Sequence, residues 1–303
     1  MVSPNDGLRL PPSWISPAAG MPDREVRPVI IVQRRRLFYP SYVQDYLDRV
    51  TAADVAAGNT SGLELGVTDG ANTFIQDLVS DTYLGVSGGV ISQAASVIKA
   101  SVPMAGARTR LGAMTPLVGP APTSFNFGNN DYNRKTGLLG NGLDKYLDSN
   151  RNNNADPQNN HHLATHITTT GTGVTIGGGT RSLINIGVAA SNWPFRSRIS
   201  IFDSPSQGTK STVSATGFVA LSRSSSFNLV SRLSGANETI TSASATASTG
   251  NIGVFARIRT DISSVEGYST ARLAFYSIGE SLDLAILDAR VTALINAYAA
   301  AIP

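Results

Sequence analysis

Hydrophobic and polar residues alternate with a period of two through most of the chain after residue 125, which predicts β-strands. In one run, Ile252, Val254, Ala256 and Ile258 share a face, and glycine, phenylalanine and arginine occupy the other. Ten candidate strands follow this pattern, at 132–139, 143–148, 162–169, 183–189, 195–202, 217–222, 227–233, 238–242, 252–259 and 271–278. Because turn residues separate them and no helical pattern intervenes, we expect an antiparallel β-sandwich from about residue 113 to residue 303.

Helical spacing occurs before the predicted sandwich. One helix begins at Pro40–Ser41 and ends near Gly58–Asn59, and a second is capped by Asp69. A third carries Val90, Ile91, Ala94, Val97 and Ile98 and ends before Pro103. These three short helices predict a small helical neck or packing segment at 41–112.

The chain ends with an amphipathic pattern that predicts a helix capped by Ser281. Its apolar positions step by three and four residues and form a seam two heptads long: Leu284, Leu287, Val291, Leu294 and Tyr298. Two packings fit this seam. It packs on the sandwich or the helical segment of its own chain, or it joins copies of the chain in a short homo-oligomeric bundle such as a trimer.

Residues 1–40 form a proline- and arginine-rich arm. Six prolines between residues 4 and 28 exclude a helix or a central strand through most of it. A β-branched run suited to pairing with another sheet, Val29, Ile30, Ile31 and Val32, is followed by Arg34, Arg35 and Arg36. We expect this arm to anchor the protein to a partner, since its composition cannot build a core.

Composition narrows the class of protein. Charged residues make up 15% of the chain, and the net charge is +3, which is too small to indicate nucleic-acid binding. The absence of cysteine excludes disulfides, thiolate metal sites and a cysteine nucleophile. The first residues lack the pattern of a signal peptide, and no apolar stretch approaches the ~18 residues that span a bilayer. We therefore expect a soluble chain made in the cytoplasm, without membrane insertion.

Few residues are candidates for chemistry. His161, His162 and His166 could bind zinc on a helix, but the β-branched residues that follow predict a strand, on which His162 and His166 lie too far apart. The loop at 148–157 is rich in oxygen ligands of the kind that calcium takes, although its spacing matches no calcium loop and its Asn and Asp residues are also favoured in turns. The glycine-rich run at 171–179 lacks a phosphate-loop ending and predicts a flexible turn. We expect no metal, no cofactor and no enzyme activity, because neither paired carboxylates nor a nucleophile elbow is present.

One aromatic residue stands out in a polar loop. Trp193 precedes a proline, and it either stacks on a sugar ring at the surface or caps the sandwich core together with Phe195. Both alternatives fit the sequence equally well.

Five short segments resemble one known group of domains. Residues 125–142 (FNFGNNDYNRKTGLLGNG) and 145–151 (KYLDSNR) resemble the opening hairpin of concanavalin A-like (laminin-G-like) jelly-roll domains in structural proteins of tailed bacteriophages and prophages. Residues 271–283 (ARLAFYSIGESLD) resemble the last strand and closing helix of the same group, and 105–109 and 116–119 resemble its lead-in. The resemblance extends from about residue 103 to residue 303 and excludes the arm.

This resemblance implies a jelly-roll β-sandwich in a virion, where such domains bind glycans or serve as surface modules. We therefore expect a non-enzymatic structural protein whose arm binds capsid or tail proteins and whose sandwich is displayed on the particle. Two locations remain open, a tail fibre or baseplate and a capsid decoration or head fibre. The alternative is an adhesin module that recognises a host surface glycan through Trp193.

Overall fold

Helices lie at both ends of the described part of the chain, with strands between them. In this computed structural model the described residues are 39–179, 182–186, 196–200, 209–211, 216–241, 243–244 and 246–303. The helices are α1 (Ser41–Ala56), α2 (Leu65–Ser80), α3 (Arg110–Ala113) and α4 (Leu284–Ala301). Tyr39–Pro303 form one compact unit, so the residues of the expected helical neck belong to the same unit as the strands.

The strands of the first half begin with a hairpin and continue into the sandwich. They are β1 (Gly85–Ser87), β2 (Val90–Ser92), β3 (Ile98–Pro103), β4 (Thr123–Phe125), β5 (Tyr132–Asn133), β6 (Gly137–Leu139), β7 (Tyr146–Asn152), β8 (His161–Thr169) and β9 (Gly173–Gly178). The strands of the second half are β10 (Ser182–Ile186), β11 (Arg196–Ser200), β12 (Thr209–Ser211), β13 (Gly217–Arg223), β14 (Asn228–Leu233), β15 (Ala236–Thr241), β16 (Asn251–Val254), β17 (Arg257–Arg259), β18 (Ser264–Glu266) and β19 (Arg272–Gly279).

Two large sheets form the sandwich. Among the described residues, one sheet has nine strands, ordered β12-β11-β10-β9-β16-β7-β4, with β17 and β18 joined through β9. The other has eight strands, ordered β15-β14-β13-β8-β19-β6-β5, with β3 paired to β19. Described pairings are antiparallel except that between β17 and β9. The predicted sandwich of antiparallel sheets with a closing helix is therefore confirmed.

The main core lies between the two sheets. It contains Leu147, Ile176 and Val254 from the nine-stranded sheet, and it contains Leu163 and Leu221 from the eight-stranded sheet. All five side chains are fully buried. This burial of apolar surface on both inner faces is the main source of stability for a sandwich.

A second core covers the other face of the eight-stranded sheet with helices. Phe218 and Phe275 from that sheet share a cluster with residues of α1, α2 and α4. The rings of Phe74 on α2 and Phe275 meet edge to face, with centroids 6.1 Å apart. The protein therefore has three layers, with the eight-stranded sheet in the middle.

Small residues let α2 and α4 approach closely. A Cβ atom at Gly66 would lie 2.7 Å from Cβ of Ala301, and one at Gly70 would lie 3.0 Å from Cβ of Ala297. Larger side chains on α2 would push the helices apart, because both distances are shorter than ordinary carbon contacts. The glycines thus hold α4 close to α2.

A buried carboxylate fastens α1 to the segment before α3. Asp54 on α1 accepts hydrogen bonds from the backbone N–H groups of Arg108 and Thr109 at 2.9 and 2.7 Å. The Thr109 hydroxyl also donates to it at 2.7 Å. Gly112 is required beside this group, because a Cβ atom there would lie 2.2 Å from Asp54 Oδ1.

The predicted helical segment is only partly correct. The start of α1 at Ser41 is confirmed, and the Pro40 carbonyl accepts from the N–H groups of Val43 and Gln44. The cap of the second helix is wrong, because α2 begins at Leu65 and Asp69 lies inside it. The third helix is also wrong. Its residues form β2 and β3 instead, and β3 pairs with β19 in the sandwich.

Two strand predictions also need correction. The glycine-rich run at 171–179 is not a flexible turn, because it contains β9, a mostly buried strand between β10 and β16. The run at 252–259 is not one continuous strand, because Phe255 adopts a φ of +67° and separates β16 from β17. Phe255 joins the core through this turn, with its ring centroid 5.0 Å from that of Phe127.

The C-terminal helix differs from the prediction in its cap and in its length. Asp283, not Ser281, caps α4, and its carboxylate accepts from Ala285 N–H at 2.8 Å. With 18 residues and a mean hydropathy of 1.3, α4 is long and apolar enough to cross a membrane by length and composition alone. The expectation that no apolar stretch reaches this length is therefore wrong. Its inward side is nevertheless buried in the helical core, as in the core helix of a globular protein.

Candidate functional site

The predicted oligomerisation seam is buried within the chain itself. Leu284, Leu287, Val291, Leu294 and Tyr298 are each at most 3% exposed and lie in the core shared by the helices and the eight-stranded sheet. Of the two packings that the sequence allowed, packing within the chain is therefore observed. The oligomerisation role assigned to these five side chains is wrong, because they are not accessible to another copy.

Several predicted site residues lie outside the described residues. These are Trp193, proposed to bind glycans, and the proposed anchoring residues Val29, Ile30, Ile31, Val32, Arg34, Arg35 and Arg36. Their proposed roles remain predictions.

The histidine run lies on β8, as its β-branched neighbours predict. His161 and His162 are both fully buried, so neither reaches solvent. His162 lies between the Glu280 carbonyl and the Ser277 hydroxyl, each 2.6 Å away. Burial lowers the pKa of His162 to about 4, so its ring is neutral near pH 7.

The tautomer of His162 follows from its two partners. A carbonyl oxygen only accepts, so His162 Nδ1–H donates to Glu280 and Nε2 accepts from the Ser277 hydroxyl. A serine beside a histidine base is the arrangement of a nucleophile. Here both side chains are fully buried, so a substrate has no access and the pair serves to join β8 to β19.

The loop considered for calcium carries an internal ion pair. Asp156 pairs with both the Nε and an Nη atom of Arg151, and its Oδ2 lies 3.6 Å from Nδ1 of His161. Burial alone would raise the pKa of Asp156, but hydrogen bonds from His161 and Arg151 outweigh it and lower the pKa to about 2. The carboxylate thus neutralises a cation of its own chain, and the described residues contain no group of three or more His, Asp or Glu suited to a metal ion.

An aromatic pair lies on the outer surface of the nine-stranded sheet. Phe125 on β4 is directly opposite Tyr146 on β7, and the neighbouring Leu147 points into the core, so both rings point outward. The rings stack with centroids 4.3 Å apart and an interplanar angle of 3°. Tyr268 completes the cluster, with its centroid 6.1 Å from that of Tyr146. We call these three residues the aromatic edge.

The stacking geometry determines which ring face is open. The centroid separation is close to the ~4.8 Å spacing of neighbouring strands, so the rings are stacked along the direction that runs from strand to strand. β4 is the last strand of its sheet among those described. The face of Phe125 opposite Tyr146 therefore points outward from the sheet edge, and Phe125 is 37% exposed.

Polar groups lie on both sides of the aromatic edge along the strands. On one side, Asp148 faces outward two residues from Tyr146 and accepts from Asn251 Nδ2 and from the N–H of Asn150. On the other side, Asn126 Nδ2 donates to the Asp144 carbonyl at 3.0 Å. Stacking rings between carboxylates and amides form a surface suited to binding, without groups placed for proton transfer or nucleophilic attack.

The sequence did not identify the aromatic edge as a site. Phe125 and Tyr146 were noted only as part of the resemblance to a hairpin, and Tyr268 was not considered. The three aromatic residues are spread over 144 positions, from 125 to 268. Phe125 and Tyr146 become neighbours because β4 pairs with β7, and Tyr268 joins them because the chain after β18 brings its ring beside Tyr146. The only sequence signal is that Phe125 and Tyr146 occur in polar surroundings.

Comparisons with known proteins give little information about function. No family model matches the chain, and no curated protein matches it. A solved structure with some similarity is domain 4 of AbnA, a GH43 extracellular arabinanase from Geobacillus stearothermophilus, in complex with arabinotriose. It is 14% identical, covers 57% of this chain and 98% of its own, and gives a TM-score of 0.27. A TM-score this low does not establish a shared fold.

Proposed function

We propose that this protein is a non-enzymatic structural protein of a tailed-phage virion, with its arm anchored in the particle and its sandwich displayed outside. The sandwich is of the concanavalin A-like jelly-roll type. Its partners are capsid or tail proteins of the same virion, and it assembles there as a homo-oligomer.

The observation that carries this proposal is the position of the segments that resemble phage proteins. The opening part contains β5, β6, most of β7 and the last residue of β4, and β7 pairs with β4 at the edge of the nine-stranded sheet. The closing segment contains β19, which is central in the eight-stranded sheet, and Asp283, which caps α4. The resemblance therefore involves the parts that organise the sandwich.

The use of the polar side chains supports a binding role over a catalytic one. The buried His162–Ser277 pair and the Asp156–Arg151 pair stabilise the fold. The aromatic edge faces outward, and the ring contact described for Phe125 is with Tyr146 on one of its faces. A displayed module needs an exposed recognition surface of this kind.

The attachment point of the arm suits an anchor. Tyr39, the first described residue, lies with its hydroxyl 2.8 Å from Asp69 Oδ1 and 2.9 Å from Thr68 Oγ1, both on α2. The chain before Tyr39 is thus joined to a fixed point on the helical layer. Its three consecutive arginines are suited to acidic grooves on a partner.

Deletion of residues 1–38 tests this proposal in the phage or prophage that encodes the chain. Tyr39 and Pro40 are kept because they contact α2 and begin α1. We expect the shortened protein to unfold at the same temperature as the full chain but to be missing from purified particles. A matched variant with Arg34, Arg35 and Arg36 replaced by alanine should be incorporated less. Normal incorporation of the shortened protein would contradict the proposal, and microscopy of labelled particles distinguishes the tail from the capsid.

The second candidate function is that of an adhesin module that binds a host surface glycan. It was first proposed from Trp193. The aromatic edge favours it independently, since stacking aromatic rings are a common platform for ligands with flat apolar faces.

A further inference from the structure

We propose that the aromatic edge is a saccharide-binding site, with the open face of Phe125 as the stacking platform and with neighbouring carboxylate and amide groups binding the sugar hydroxyls. This inference rests on the proposed display of the sandwich and specifies its ligand class. It places the site at the edge of the nine-stranded sheet, on residues other than Trp193.

The platform meets the geometric requirement for stacking. A pyranose presents one apolar C–H face, and that face packs on an aromatic ring that is open on one side and held rigidly on the other. Tyr146 supports the inner face of Phe125 at 4.3 Å, and Tyr268 supports Tyr146 in turn. The ring is preorganised, so little side-chain entropy is lost when a ligand binds.

On the side of the aromatic edge where Asp148 lies, polar groups have unused hydrogen-bonding capacity. An ionised carboxylate has about four acceptor positions, and Asp148 uses two of them, for Asn251 Nδ2 and Asn150 N–H. Asn150 is itself held by donation of its Nδ2 to the Ala121 carbonyl and to Thr123 Oγ1. Fixed acceptors beside a stacking ring match the hydroxyl groups of a neutral sugar.

On the opposite side of the aromatic edge, residues 141–145 form a rigid turn. The Asn141 side-chain oxygen accepts from the N–H groups of Leu143, Asp144 and Lys145, and its Nδ2 donates to Asp144 Oδ1 at 2.7 Å. This turn projects Leu143, which is 75% exposed, beside residues that precede Tyr146. Its Asp144 carbonyl accepts from Asn126 Nδ2, next to Phe125, at this end of the platform.

The spacing indicates the size of the ligand. Asp148 lies two residues along β7 from Tyr146, a distance of ~7 Å along the strand. A single sugar ring covers the aromatic platform, and a second ring reaches the polar groups next to it. We therefore expect short neutral oligosaccharides to bind more tightly than monosaccharides.

Binding to an array of neutral gluco-, galacto- and manno-oligosaccharides, followed by titration calorimetry with the best ligand, tests this inference. The purified full chain should bind, and Phe125→Ala should weaken binding more than tenfold. Phe227→Ala is the matched control, because Phe227 is also an exposed phenylalanine, 71% accessible, beside β14 of the other sheet. It should leave affinity unchanged. Asp148→Asn should weaken binding several-fold, and Phe125→Trp should retain it.

Three results would overturn the inference. They are no binding of the full chain to any saccharide on the array, unchanged affinity of a folded Phe125→Ala variant, and loss of affinity in Trp193→Ala but not in Phe125→Ala. The measurement uses purified protein without particles. Its failure therefore leaves the incorporation experiment intact, and failure of incorporation leaves the binding result intact.

Discussion

The side chains that most resemble chemical machinery are used to hold strands together. His162 joins β8 to β19 through Ser277, and Asp156 neutralises Arg151 beside the start of β8. Their pKa values are perturbed, which is often the mark of a functional site. Here burial in the core lowers the pKa of His162, and hydrogen bonds from His161 and Arg151 outweigh burial and lower the pKa of Asp156, so the consequence concerns stability.

Acid should destabilise the protein through its buried histidines. Burial lowers the pKa of His162 and of His166 to about 4, from 6.5. Above pH 6.5 neither the folded nor the unfolded chain binds these protons, and the stability is at its full value. Between pH 6.5 and 4 only the unfolded chain binds them, so the free energy of unfolding falls by about 1.4 kcal/mol per pH unit for each histidine. Urea unfolding at a series of pH values measures this slope.

A variant separates the histidines from other titrating groups. His166→Gln removes one of the two protons taken up on unfolding and should halve this part of the slope. Asp156 cannot produce the same effect, because its folded pKa of about 2 is below its ordinary value of 3.8. The contribution of Asp156 to the free energy of unfolding is complete above pH 3.8 and is lost only as the pH falls towards 2. An unchanged slope in His166→Gln would contradict the assignment.

At the level of elements, local pattern predicted the strands well and failed where close approach decides the structure. The glycine-rich run predicts a turn, because glycine weakens a strand in isolation. In the fold, a Cβ atom at Gly173 would lie 2.2 Å from the Tyr268 carbonyl, so the strand requires glycine there. The residues of β2 and β3 also match helical spacing, but β2 pairs with β1 in a hairpin and β3 pairs with the distant β19. The aromatic edge was missed for the same reason, since its members meet only through long-range pairing.

The close contact between Gly112 on α3 and the Asp54 carboxylate on α1 can be tested by mutation. Gly112→Ala places a Cβ atom 2.2 Å from Asp54 Oδ1, so the carboxylate must move away from the N–H groups that it binds. We expect the free energy of unfolding to fall by about 1–3 kcal/mol. Gly62→Ala is the control, because no atom lies within 4 Å of its added Cβ. Chemical unfolding that ranks both variants equally would exclude the close contact as the cause.

The whole molecule is arranged so that the eight-stranded sheet is covered on both faces. One face packs on the nine-stranded sheet and the other on α1, α2 and α4. Recognition surfaces on the described part of the chain are therefore expected on the nine-stranded sheet, where Phe125 is exposed, and on the loops. The sequence predicted the sandwich and the closing helix. It left open whether that helix packs on the sandwich, on the helical segment or on another copy, because packing between distant segments leaves no local pattern.

The role of α4 in this arrangement can be tested with two neighbouring residues. Leu287 is fully buried, and Ile286 is 38% exposed on the same helix. Leu287→Ala should lower the free energy of unfolding by about 2–5 kcal/mol because it leaves a cavity in the helical core. Ile286→Ala should change it far less. Because the Leu287 contact lies within one chain, the loss should be the same at every protein concentration, whereas a contact between copies would give a loss that depends on concentration. Light scattering should show assemblies of the same size for both variants. A smaller assembly in Leu287→Ala alone, with unchanged stability, would instead show that Leu287 lies in a contact between subunits.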